Sequence, residues 1–525
     1  MNTPDLSALE RAIETLPRHY PGPGGVVGVV KDGAVLFSHA WGYADLTARK
    51  PMTATTRIPI CSITKQLTCA VLLDTVGDPA RLDRALDAYL PLLEGRRPTV
   101  AHLCHNQSGL RDYWALTVLQ GARHDGVFRR EDARPLISRA RSTHFDPGTR
   151  YSYSNGNFRI LADLIEEHTG RSMAELYQRS VFDPAGMQTA ALTADTSLPP
   201  DGLVGYEGNE TVGHFEALNR IYWAGDAGVS ASLDDMLAWE CFIDRTREDA
   251  GSLYRRLSAP QSYIDGRPAH YGFGLAHDLI GDVAITGHGG ALRGFRSRRL
   301  YAPAARLSVV VMFNHEADAH AAATDLMKAA LGHRDHDPAP ATWEPKDFGT
   351  YLDEETGLAL VAKPIGSSRV ALQFATSHET LAIGTDRVAR SAAVTLSADR
   401  GSDTLRMERP RENLSVTGQR IAGTARADIA GRFHAPELGA RLDIVETDGV
   451  FYAGFDGMLG TGAMHAIRPL ASDVWFLRCK RSMDAPAPGD WTVLVRRDAE
   501  GKVVGLTVGC WLARRVDYAK LTDAT

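Results

Sequence analysis

The chain has 525 residues, too many for one hydrophobic core, so two to four domains are expected. Hydrophobic residues make up 44% and charged residues 23%, an ordinary globular balance, and the formal net charge of −6 offers no basic footprint for nucleic acid or an anionic membrane. A small molecule or a peptide is the substrate class that remains.

The opening MNTPDLSALERAIETLP has early acidic residues and no uninterrupted apolar region, unlike a secretory signal. No stretch approaches the roughly 18 apolar residues of a membrane span. Cys61, Cys69, Cys104, Cys241, Cys479 and Cys510 are scattered without paired spacing, which reads as reduced thiols in a cytoplasmic protein.

In chain order, a short amphipathic helix is predicted over Leu6 to Thr15, followed by the turn Pro21 to Gly25. Apolar runs Val26 to Val30 and Ala34 to Phe37 flank Asp32-Gly33, a hairpin signature. Ile63 to Val76 has helical periodicity and stops at Gly77-Asp78-Pro79; a further helix runs from about Phe158 to Gly170. Leu307 to Phe313 is a continuous apolar run that reads as a buried strand, and Ala317 to Leu331 as a helix stopped by Gly332. An antiparallel sheet with helices at both termini and a helical insertion fits this order, so residues 1–332 are assigned to the α+β class.

Residues 333–345, HRDHDPAPATWEP, are polar and proline-rich, as in a linker. Its two histidines could suggest a metal, but no further ligand-spaced cluster supports one, and no cofactor is expected. Beyond the linker short β-like runs alternate with turns, giving two all-β units, 346–420 and 421–525. Gly349, Tyr351, Glu355, Gly357 and Leu360 recur at the same spacing 82 residues later as Gly431, Phe433, Glu437, Gly439 and Leu442. The echo reads as a duplication, and each unit has the size of a small antiparallel barrel.

Ser62-Ile63-Thr64-Lys65 places a hydroxyl and an amine on one face at the start of a helix, within mutual reach. Alone, Ser-x-x-Lys is a weak signal that more often marks a capped helix with a surface lysine. Two further motifs change the balance. Tyr153-Ser154-Asn155 follows the turn at Pro147-Gly148 and can direct a phenol and an amide into a cleft. His288-Gly289-Gly290 precedes the run into LSVVVMF, and its glycines let a substrate backbone approach. Together they supply the nucleophile, bases and substrate-binding edge strand of acyl transfer by serine.

With Ile58-Pro59-Ile60-Cys61-Ser62, HNQSGLRDY and FDPGTRYSYSNGNF, these motifs resemble the serine β-lactamase and penicillin-binding-protein superfamily, especially its class C-like branch. With two β domains and the segment Arg481-Ser482-Met483-Asp484-Ala485-Pro486-Ala487-Pro488-Gly489, the whole chain is similar to the bacterial D-stereospecific aminopeptidase family. That resemblance implies a β-lactamase-like domain followed by two eight-stranded barrels, a homodimer, and release of N-terminal D-amino acids, D-alanine above all, from small peptides, amides and esters. It implies Ser62 as nucleophile, Lys65 and Tyr153 as its bases, and Asn155 orienting the substrate amide and Lys65. His288 is expected to hold Tyr153, and the amides of Ser62 and Ala291 to form the oxyanion hole. An aminopeptidase must recognise an α-ammonium, and none of the catalytic motif residues is a carboxylate. Asp484, with Arg481, Ser482, Met483, Gly289 and Gly290, is therefore expected to bind substrate.

Two rival readings stay open. A D-Ala-D-Ala carboxypeptidase, β-lactamase or esterase of the same superfamily would usually carry Lys-Thr-Gly where this chain has His288-Gly289-Gly290. A non-catalytic scaffold would not need an intact Ser62, Lys65, Tyr153 and Asn155.

Overall fold

A computed structural model describes residues 5–334, 340–376, 378–398, 403–479, 482–484 and 489–521. The middle of the expected linker thus lies outside the described residues. Among those described, no helix is long and apolar enough to cross a membrane.

The Asp32-Gly33 dipeptide makes the expected hairpin: both residues have positive φ, 54° and 78°, as a tight two-residue turn demands. The strands it joins are Gly24–Lys31 and Ala34–Asp45, the second longer than its apolar run. They belong to an eight-stranded antiparallel sheet in the order Tyr271–Gly272, Leu275–Ile280, Val283–Leu292, Phe295–Ala302, Leu307–Phe313, Gly24–Lys31, Ala34–Asp45, Lys50–Pro51. Strands from the two ends of this domain pair at its centre, with Val27 opposite Val311. Every residue of Leu307–Phe313 is buried, because helices cover both faces of the sheet.

Helices Leu6–His19 and Ala319–Leu331 lie on the outer face, packing Leu9, Ile13, Leu326 and Met327 against Val27, Val29, Val309 and Val311. The first runs a turn beyond its expected end because Leu16 joins this core. Helix Thr64–Thr75 on the inner face is buried from Thr64 to Leu73, so it is the apolar centre of the helical half. Helix Asn155–Thr169 starts ahead of the expected Phe158 and ends where Gly170 turns left-handed at φ 66°.

The C-terminal part forms two closed eight-stranded antiparallel barrels, one from Gly349 to Arg420, the other from Gly431 to Lys520 with the short strand Gly460–Thr461 appended. The sequence echo is a structural one. Each barrel opens with the same hairpin register, Tyr351 facing Leu360 and Phe433 facing Leu442. Gly357 and Gly439 both take left-handed φ, 69° and 62°. The echoing glutamates clamp the catalytic domain, Glu355 on Arg150 and Glu437 on Arg111 at 3.1 Å.

A buried ion pair fixes the sheet beside the cleft. Arg299, opposite His288 across the strand pair, contacts Glu240 of helix Leu233–Arg245 through two hydrogen bonds of 2.5 and 2.8 Å, and both side chains are fully inaccessible. Removing one partner leaves an uncompensated buried charge. Glu240→Gln should therefore lower unfolding stability by about 3–5 kcal/mol in urea titration, while Glu240→Gln with Arg299→Met should recover much of the loss.

Candidate active site

The nucleophile candidate sits on a strained turn. Strand Ile58–Pro59 feeds a 3-10 turn, Cys61–Ile63, that runs directly into helix Thr64–Thr75. Cys61 holds φ 50°, a conformation rare for a residue with a side chain, and it immediately precedes Ser62. One turn along, Lys65 is wholly buried.

Lys65 Nζ has three partners: Ser62 Oγ at 3.0 Å, Asn155 Oδ1 at 2.7 Å and the carbonyl of Asp226 at 2.6 Å. The last two can only accept hydrogen bonds, so a neutral amine, with two hydrogens, spends both there and turns its lone pair to Ser62. Burial favours that neutral form. It brings the Lys65 pKa down to about 8, against the opposing pull of the carboxylates of Asp226, Asp112 and Asp484. Asp226 is itself braced by Tyr113 Oη at 2.8 Å and Trp114 Nε1 at 3.2 Å.

Tyr153 moves the other way. Its ring centre is 4.9 Å from Lys65 Nζ and its phenol is hydrogen-bonded to Ser62, yet burial raises its pKa far above the ordinary tyrosine value. It stays a proton-bearing phenol, while burial favours the neutral amine of Lys65. The HNQSGL segment supports the loop that carries Tyr153: Asn106 Oδ1 accepts from the backbone N–H of Ser154 at 3.1 Å and from Asn157 Nδ2 at 2.9 Å.

His288 departs from expectation. Rather than Tyr153, it engages the hydroxyl of Tyr271 through Nε2 at 2.9 Å, and Nδ1 lies 2.5 Å from the Gly289 carbonyl. Both contacts are satisfied when Nδ1 carries the hydrogen and Nε2 accepts. Burial and the nearby Lys65 bring its pKa down to about 3, so the ring is neutral. The Tyr153 ring stands 6.2 Å away, centre to centre.

The strand Val283–Leu292 has the free edge that substrate binding requires. Its pairing with Leu275–Ile280 ends at Gly287, so from His288 onward that side opens on the cleft. Gly290 is needed for contact: a Cβ there would lie 2.3 Å from the Ile60 carbonyl and 2.9 Å from Cys61. The glycine lets the strand press against the turn that holds Ser62. At Gly289 the nearest atom to such a Cβ would be 3.5 Å away, and packing makes no such demand.

A cavity of about 650 Å³ gathers Ser62, Tyr153, Asn155, His288, Gly289, Gly290, Ala291, Ser482 and Asp484. Ser482 Oγ donates to Asp484 Oδ1 at 2.6 Å, and the Asp484 carbonyl accepts from the Arg293 N–H at 3.1 Å. Met483 is not on the wall; it is buried and packs beside Gly126 as an anchor. Arg481 lies outside the described residues.

Asp112, Trp114, Ala115, Thr376 and Leu512 also line the cavity and were not anticipated. The expectation that a carboxylate must come from outside the catalytic motifs overlooked Asp112 of the HNQSGLRDY segment, and Glu316 and Asp318 of the same domain line the cavity as well. His102 and His105 of the same region are structural. His102 Nδ1 closes a capping box with Thr99, and His105 Nδ1 accepts from the Phe273 N–H at 3.3 Å.

Fold and cleft together define a β-lactamase-like serine hydrolase. A family model described as Beta-lactamase matches residues 9–334, and one described as D-aminopeptidase, domain B, matches 340–519. A D-aminopeptidase of Cereibacter sphaeroides is 55% identical over 99% of this chain and 100% of its own length. One of Brucella anthropi is 52% identical over 99% of each. The chain belongs to the D-aminopeptidase family. The solved penicillin-binding protein homologue from Pyrococcus abyssi, octameric in its structure, shares the fold at a TM-score of 0.54 and 18% identity, covering 79% of this chain and 99% of that one.

Gly290→Ala should push the edge strand away from the turn that holds Ser62. An acyl substrate should lose about 10²-fold in kcat, comparable to removing one oxyanion donor, with thermal unfolding little changed; an unaltered kcat would show that the close approach at Gly290 is dispensable.

Proposed function

We propose that this protein is a serine aminopeptidase that releases N-terminal D-amino acids, D-alanine and other small residues first, from peptides, amides and esters. The observation that carries the chemistry is the Lys65 amine, whose two hydrogens are claimed by Asn155 and Asp226 and whose remaining neighbour is Ser62 Oγ.

Lys65 takes the proton of Ser62 as Oγ attacks the substrate carbonyl, and the N–H groups of Ser62 and Ala291 receive the developing oxyanion. Tyr153, still protonated, gives its hydrogen to the leaving amine and recovers one from Lys65. Water then attacks the acyl-enzyme by the same path in reverse. Asn155 holds Lys65, and neutral His288 braces the edge strand through Tyr271 and Gly289. The Asp484 carboxylate pairs with the substrate's α-ammonium, which makes a general acyl-transfer site an exopeptidase.

The family resemblance and six cysteines scattered without paired spacing also lead us to assign a homodimer working in the cytoplasm. Light scattering on the purified chain tests the dimer.

Ser62→Ala and Lys65→Ala should each abolish turnover of D-alanine p-nitroanilide while leaving the fold intact. L-alanine and N-acetyl-D-alanine anilides should be poor substrates of the native enzyme. Because the reactive form of Lys65 is the unprotonated one, kcat/KM should rise with pH through about 8 and fall tenfold per pH unit below it. A flat profile between pH 6 and 9 would remove Lys65 from the role of base.

Asp484→Ala should raise KM for D-alanine p-nitroanilide at least about tenfold, the worth of one charge-assisted hydrogen bond. An unchanged KM would place ammonium recognition elsewhere.

A further inference from the structure

Besides Asp484, three carboxylates line the cavity over Ser62: Glu316, which pairs with Arg296 at 3.1 Å, Asp318, which caps helix Ala319–Leu331 by accepting from the Ala321 N–H at 2.9 Å, and Asp112, only 1% exposed and ion-paired to no side chain among the described residues. Asp112 Oδ1 accepts from the Asn155 N–H at 2.7 Å and Oδ2 from the Ala115 N–H at 3.3 Å, and the Asn155 side chain bonds to it as well. An ionised carboxylate has about four acceptor positions, so one remains for a ligand in the cavity. Its own backbone N–H donates to the Leu512 carbonyl of the second barrel at 2.9 Å, which fixes Asp112 on the side from which Asp484 arrives.

We propose that Asp112 is a specificity-determining residue that receives the substrate's α-ammonium together with Asp484, so that the ammonium bridges the catalytic domain and the second barrel. The inference rests on the aminopeptidase reading above. An ammonium has three N–H donors diverging from one atom, and one carboxylate cannot accept them all. Two carboxylates from different domains, both lining the cavity that holds Ser62, match that divergence. Capping the helix at Tyr113 does not by itself account for Asp112, since a neutral Asn or Ser caps as well as Asp. The charge acts on cations instead: on Lys65, whose ammonium form it favours, and on a cationic ligand in the cavity.

The electrostatics agree. Burial first, and the Asp484 charge second, raise the Asp112 carboxyl to about 7. A cation seated between the two carboxylates counters both causes at once. Because Asn155 grips Asp112 and Lys65 together, the ammonium site is held at a set distance from the base. A substrate without that ammonium offers neither carboxylate a cation, and N-acylated peptides are disfavoured for the same reason.

The test compares a substrate that carries the ammonium with one that lacks it. In Asp112→Asn the cap is retained and the charge lost. The ratio of kcat/KM for D-alanine p-nitroanilide to that for p-nitrophenyl acetate should fall about tenfold or more, chiefly through KM, as expected for one hydrogen bond to a charged group. Inhibition of acetate hydrolysis by D-alanine amide should weaken by a similar factor. Asp112→Ser, which also caps, should repeat the result and serves if the Asn variant does not fold. An unchanged ratio, or equal loss on both substrates, overturns the proposal while leaving the aminopeptidase reading intact. If the native enzyme hydrolyses the acetate but neither cleaves the D-alanine anilide nor is inhibited by D-alanine amide, the aminopeptidase reading fails and the proposal with it.

Discussion

Everything at this site depends on one amine being buried without a dedicated counter-ion. Lys65 is surrounded by acceptors and by the low-dielectric interior of the helical half, and the carboxylates whose fields reach it, Asp226, Asp112 and Asp484, have other partners. Had one of them formed a direct ion pair with Nζ, the ammonium would be stabilised and the base lost. The backbone carbonyl of Asp226 and the amide oxygen of Asn155 hold the amine in place and carry no net charge. The same logic keeps Tyr153 protonated, so burial favours the neutral form of both side chains, the amine without its extra proton and the phenol with its own, although their ordinary pKa values are similar.

The barrels complete this site structurally. Arg111 is enclosed by the second barrel, donating to the carbonyls of Arg514 at 2.8 Å and Arg515 at 3.2 Å as well as pairing with Glu437. Next to it Asp112 takes the Leu512 carbonyl. The first barrel contributes Thr376 to the cavity wall, and its Phe374 meets Trp511 edge-on with ring centres 5.4 Å apart. Gly489 lies close against this same hairpin, where a Cβ would come within 2.9 Å of the Ala375 carbonyl. Asp484 is thus tied to the catalytic domain through the Arg293 N–H, and Gly489 lies against the first barrel, so the cleft draws its walls from three domains.

Much of this was legible in the sequence because local patterns carry it. Asp32-Gly33 encodes a hairpin in two residues, LSVVVMF a strand in seven, and Ser62 to Lys65 a shared helix face in one turn. The 82-residue echo survives because each copy places a left-handed glycine and a facing aromatic–leucine pair at the same points of a hairpin. What stayed hidden depends on contacts across long separations. Asp112 reads as a helix cap until the second barrel is placed beside it. Tyr271 sits on a two-residue strand too short for a periodic signal, so its claim on His288 could not be foreseen. Met483 stands one residue from Asp484 and is buried, a placement that no spacing in the sequence marks.

The site also weakens the fold that carries it. Lys65 titrates near 8 in the folded chain and at its ordinary 10.5 when exposed, a displacement worth about 3 kcal/mol. The sign is set by which state holds the proton more tightly. Below pH 8 both states carry the charge and the folded one bears its desolvation in full; between 8 and 10.5 the folded lysine is already neutral, and the cost fades. Neutral pH, where the cost is near its maximum, is where the rest of the molecule must offset it. The buried packing of helix Thr64–Thr75 and the buried Glu240–Arg299 pair beside the edge strand do so without touching Nζ. Stability is supplied one layer away from the amine, because any stabilising contact made directly to its charged form would cancel its function.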